Sequence, residues 1–103
     1  MPSWRRVAVA GHSMEPTLRD GDWLLIDTAA KPSVGDLVVA RHPRAAARLI
    51  VKRVTAVEAD GLRVAGDHPA HSVEEEIGPI GTNLVVGRPW LRYWPLRRFG
   101  RVA

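Results

Sequence analysis

The sequence predicts a mostly β fold: a small, closed domain of about six short strands with little helix. Three observations carry this. The chain has 103 residues, 46% of them hydrophobic and 25% charged, which suits one ordinary domain spanning 1–103. Nine glycines and eight prolines break the chain every few residues, leaving few windows for an amphipathic helix. The runs between these breaks are short and rich in β-branched residues.

Taken in order, strands are expected over 6–10, 23–27, 36–41, 49–57, 62–65 and 83–88. Between the first two, residues 13–20 suit one helical turn or a short 3₁₀ piece, with Pro16 near its start. Asp60-Gly61 is a hairpin signal between two strands. The closing stretch, PWLRYWPLRRFGRVA, is interrupted by Pro89 and Pro95 and is expected to wrap over the domain. Its Trp90, Tyr93, Trp94 and Phe99 are expected to complete the core; an interfacial aromatic surface is the alternative.

Charge and composition exclude several classes of function. Residues 1–76 hold ten basic and eleven acidic side chains, whereas 77–103 hold five arginines and no acid. The net charge of +4 therefore lies wholly at the C-terminal end, unlike a protein that binds nucleic acid across its surface. No cysteine is present, so disulfides, thiolate zinc sites and cysteine nucleophiles are excluded. The apolar runs are a few residues long, against about 20 for a membrane-spanning helix. The N-terminal apolar run is also shorter than a signal-peptide core. The expectation is a cytoplasmic protein with no integral membrane segment, although peripheral membrane contact through the basic-aromatic tail is open.

Three segments bear chemistry. In Gly11-His-Ser-Met-Glu-Pro-Thr-Leu18, Gly11 leaves room for another chain to approach closely. Ser13 then suits two roles: capping the following turn, or presenting its hydroxyl to a carbonyl that its own N–H faces. In Leu49-Ile-Val-Lys-Arg-Val, period-2 alternation puts Lys52 on one face with Ile50 and Val54. A surface strand with Lys52 pointing outward is one reading. In the other, burial lowers the lysine pKa and the neutral amine serves as a base towards a serine. Arginine could not do this, and the chain has thirteen arginines against Lys31 and Lys52. The third segment runs from Gly66-Asp-His through Ser72 to Gly78 and has the polarity to line a site. His68 and His71 beside Asp67 are a weak metal pattern, so neither metal nor cofactor is expected.

In order, Gly-x-Ser-Met-x-Pro-Thr-Leu, Gly21-Asp22, Gly35-Asp36-Leu-Val-Val, Lys52-Arg53-Val54 and Gly66-Asp67 resemble the successive boxes of the type I signal peptidase family. Its members are serine peptidases with a Ser/Lys dyad. The likeness runs over about 9–100. It implies Ser13 as nucleophile, Lys52 as general base and Ser72 as the serine that orients the lysine. It implies the Ser13 N–H as oxyanion donor, with Gly11 where some members add a hydroxyl. Met14, Asp67 and Glu74 would support the site.

Two departures stand out. The family's Gly-Asp-Asn reads Gly66-Asp67-His68, and its Asp-Ser-Arg reads Glu74-Glu75-Glu76. Glutamate cannot supply the arginine's charge, so either another arginine, such as Arg53 beside Lys52, supplies the positive partner or the site is supported differently. The short chain is most similar to the anchorless proteases that mature nickel-type superoxide dismutase. That likeness implies removal of an N-terminal propeptide from a precursor protein. The alternatives are a signal peptidase I-like enzyme acting on exported preproteins at the membrane surface, or an inactive peptide-binding relative. The oligomeric state is not expressed in these motifs.

Overall fold

The computed structural model describes residues 4–68 and 77–102. Its strands are β1 (Trp4–Ala8), β2 (Trp23–Asp27), β3 (Leu37–His42), β4 (Ala45–Glu58), β5 (Gly61–Ala65), β6 (Val85–Trp94) and β7 (Gly100–Arg101). They form one antiparallel sheet in the order β1-β2-β6-β3-β4-β5, with β7 also paired to β6. The mostly β expectation is met.

β3 shows how the chain encloses two cores. Leu37, Val38, Val39 and Ala40 are all buried, because alternate residues of a strand point to opposite faces. Leu37 and Val39 join Val7, Val9, Met14, Leu18, Leu24, Ile26 and Val102 in one core. Val38 and Ala40 join Ile50, Val54, Leu62, Val64 and Ile80 in the other. β6 ties the two halves together, pairing with β2 through its later residues and with β3 through its earlier ones. At Gly87 the strand passes so close to β2 that an added Cβ would lie 2.4 Å from the Asp27 carbonyl oxygen.

Several elements depart from the sequence pattern. β4 starts at Ala45, four residues before the expected strand, because alanine signals strand weakly while pairing with β3 recruits it. β6 runs through Pro89 to Trp94 although proline cannot donate to a ladder. Pro89 lies opposite Ile26 beside a register shift, the kind of irregularity at which proline is accommodated. The Asp60-Gly61 signal is met: Glu58 pairs with Gly61 across a two-residue turn.

The aromatic expectation is corrected. Both cores are aliphatic, while Trp94 and Phe99 are exposed and Trp90 and Tyr93 only half-buried. Val102 closes the first core instead, its N–H bonded to the Trp90 carbonyl at 3.0 Å.

Candidate active site

Ser13 sits in a turn that hydrogen bonds shape at several points. After β1 the chain runs beside 21–22, with Val9 N–H on the Asp22 carbonyl (2.8 Å) and Gly21 N–H on the Val9 carbonyl (2.9 Å). Gly11 then turns with φ +86°, a conformation that side chains rarely adopt, and its N–H reaches Asp20 Oδ1 at 2.9 Å. The expected helical turn forms: Leu18 N–H donates to the Met14 carbonyl at 2.9 Å. Met14 and Leu18 sink into the first core and leave Ser13 half-buried between strand and turn.

Lys52 comes from the other half of the sheet. On β4 the buried positions are Ile50, Lys52 and Val54, and Lys52 stands opposite Val38 of β3. Its exposure is 8%, so an amine has been carried onto an apolar face, as the alternation implied. Ser13 and Lys52 line one cavity of about 180 Å³, walled by Val7, Ala8 and Val9 on one side and Leu49, Ile50 and Val51 on the other. Gly11 and Met14 also line it.

Arg53, the next residue of β4, pairs with Asp67. Arg53 Nη2 and Nε meet Asp67 Oδ2 and Oδ1 at 2.6 and 3.1 Å, a two-pronged contact that fixes the guanidinium plane. Thr17 Oγ1 donates to Asp67 Oδ2 at 2.6 Å, Arg53 Nη1 to the Gly35 carbonyl at 2.9 Å, and His68 N–H to the Ser13 carbonyl at 2.9 Å. Burial pushes the Asp67 carboxyl up. The hydrogen bonds from Arg53 and Thr17 and the Arg53 charge outweigh it, so its pKa lies below the ordinary carboxylate value. Arg53, the residue next to the lysine, thus finds its acidic partner in Asp67. Ser72 and Glu74 lie outside the described residues.

A second ionic cluster escaped the sequence reading. Asp22 is almost wholly buried and accepts from Arg19 N–H at 2.9 Å, Arg92 Nη1 at 3.3 Å and Arg98 Nη2 at 3.3 Å. Arg92 Nη1 also donates to the Thr17 carbonyl at 3.0 Å, so the basic closing segment reaches the serine turn. The Gly21-Asp22 box marked one end of this cluster, but its arginines lie some 70 residues away. Among the described residues, no three or more His, Cys, Asp or Glu side chains gather as metal ligands.

A half-buried serine and a buried lysine line one cleft, and comparison with known proteins gives the class. The chain belongs to the signal peptidase family, peptidase S26, whose profile matches residues 2–71. It is 32% identical to mitochondrial inner membrane protease subunit 1 of Xenopus tropicalis, over 91% of this chain and 71% of that protein. It is likewise 32% identical to mitochondrial ATP-independent inner membrane protease subunit 1b of Arabidopsis thaliana, over 87% of this chain and 70% of that protein. Signal peptidase I of Streptococcus pneumoniae is 41% identical over 62% of this chain and 31% of its own length. No solved structure gives a significant match.

These relatives overturn the cytoplasmic expectation, which rested on the shortness of the apolar runs. Proteins of inner mitochondrial membranes share most of this chain's length. Among the described residues no helix is long and apolar enough to cross a membrane, which is a narrower statement.

Proposed function

We propose that this protein is a serine endopeptidase that uses Ser13 and Lys52 to cleave preproteins at a membrane surface. The observation that carries the chemistry is the shared cavity, in which the lysine is buried and the serine accessible. Neutral Lys52 takes the Ser13 hydroxyl proton while Oγ attacks the scissile carbonyl carbon. The C–N bond then breaks, the departing amine takes that proton from the lysine, and water hydrolyses the acyl-serine. The Ser13 N–H serves the oxyanion, and the Arg53–Asp67–Thr17 contacts hold turn and strand in register. Ser72, if it orients the lysine as the family likeness implies, completes the set.

The membrane part of the reading has its own support. Trp4, Trp23, Trp94, Leu96 and Phe99 are all 40% or more exposed, with Arg6 and Arg97 exposed nearby in sequence. Arg6, Trp23, Tyr93 and Trp94 line one open groove, and Trp23 pairs across the sheet with Ala8, itself a wall of the active-site cavity. Amphipathic rings beside arginines suit a lipid interface. Together with the relatives named above, this favours exported or membrane-bound preproteins over a nickel superoxide dismutase precursor as substrate.

Ser13→Ala and Lys52→Ala should each lower cleavage of a preprotein by at least about 10⁴-fold, read by mass measurement of the new N-terminus. Activity of the wild type should rise with pH as the lysine loses its proton. Full activity in either variant ends the dyad assignment. Co-sedimentation with anionic vesicles at low salt, lost in Trp23→Ser/Trp94→Ser, tests the surface.

A further inference from the structure

A second cavity, of about 400 Å³, opens beside Ser13 and carries a charge pattern that the dyad does not use. Besides Ser13 and Lys52 it is lined by His12, His42, Arg44 and Arg48, and among its described lining residues there is no carboxylate. Between Asp36 and Glu58 the chain contains no acidic residue, yet carries Arg41, Arg44, Arg48, Lys52 and Arg53. Five other arginines, Arg53, Arg63, Arg88, Arg92 and Arg98, each meet a carboxylate within 4.0 Å. Arg44 and Arg48 form no ion pair among the described residues and are exposed.

We propose that Arg44 and Arg48 select substrates with an acidic side chain close to the scissile bond. The proposal rests on the peptidase reading and names the substrate chemistry it leaves open. Arg48 lies on the same strand as Lys52 and lines both cavities, so a chain seated against Ser13 runs past its guanidinium. Four strand residues span roughly 13 Å, and a long arginine side chain shortens that gap, which places the acidic residue within about three positions of the cut. Arg44 enters from the turn between β3 and β4, and His42 from the end of β3. Arginine forks bind carboxylates in two-pronged fashion, giving orientation as well as attraction.

The test uses the full chain and peptide pairs that differ only in Asp against Asn at each of the three positions on either side of the cut. Wild type should prefer the Asp member at one of these positions by about three- to ten-fold in kcat/KM at low salt, since each exposed cation contributes modestly. The preference should shrink at 0.5 M salt. Arg44→Gln/Arg48→Gln should bring the ratio close to one, and Arg48→Glu should reverse it towards Lys-containing peptides. Binding of the same pairs to Ser13→Ala, read by fluorescence anisotropy, separates the two ideas. Acidic preference in binding with no cleavage by wild type sinks the peptidase reading and leaves the cavity's selectivity standing. Equal handling of Asp and Asn members by wild type at every position overturns the proposal. So does loss of anionic-vesicle binding in the Arg44/Arg48 variant with an unaltered peptide preference, which would assign the cavity to lipid phosphate.

Discussion

Two carboxylate–arginine clusters hold the same serine turn through different atoms of Thr17, and they differ in depth. Asp22, with its side chain 2% exposed, takes two guanidiniums, one of which also holds the Thr17 carbonyl. Asp67, at 17%, takes one guanidinium and the Thr17 hydroxyl. A buried charge is tolerable only while paired, so the Asp22 cluster is a condition of folding. The Asp67 cluster keeps more water around it and joins the lysine strand, the serine turn and the loop leading towards Ser72. Its loss should therefore cost rate before it costs the fold.

The sharpest way to break this contrast is Asp22→Ala, which strands Arg92 and Arg98 inside the protein. We expect a loss of about 3–5 kcal/mol, and hence a melting temperature lower by more than about 12 °C. A drop of only a few degrees would show that depth does not separate the clusters. Next comes Arg53→Lys, which keeps the charge and removes the fork. It should lower kcat on the order of ten-fold with KM little changed, while stability falls by about 1 kcal/mol. If activity per folded molecule stays at the wild-type level, the Asp67 cluster is scaffold only.

A pH titration sharpens the comparison further. The folded pKa of Asp67 is depressed, so its contribution to stability is complete above the unfolded value of 3.8 and is lost as pH falls through the lower folded value. Thermal melts from pH 5 downwards should show this acid limb, and Asp67→Asn should flatten it. The smallest effect is expected outside both clusters. Phe99→Ala removes an exposed ring and should alter stability by no more than about 0.5 kcal/mol, measured by urea unfolding.

Much of the fold was legible because short strands advertise themselves locally. The 23–27 strand matches β2 residue for residue, and the Asp60-Gly61 hairpin forms. What escaped was decided by contacts far apart in sequence. Ala45 is in a strand because β3 offers it partners, and Pro89 because an irregularity in the pairing with β2 accommodates its missing N–H. The exposure of Trp94 and Phe99 was equally hidden, since aromatic character alone does not say whether aliphatic side chains have already filled the interior.

The same division runs through the candidate site. The sequence by itself determined which side chains could do chemistry: a serine after a turn glycine, and a lysine where alternation demands an apolar residue. It also determined the boxes that place the chain among signal peptidases. Only the tertiary structure decided what surrounds them. Arg53 pairs with Asp67, and two arginines of the basic tail turn inward to Asp22. Covalent order sets residue type and facing. Ion pairs between residues up to 76 positions apart exist only once strands from both halves of the chain have met and water has been excluded between them.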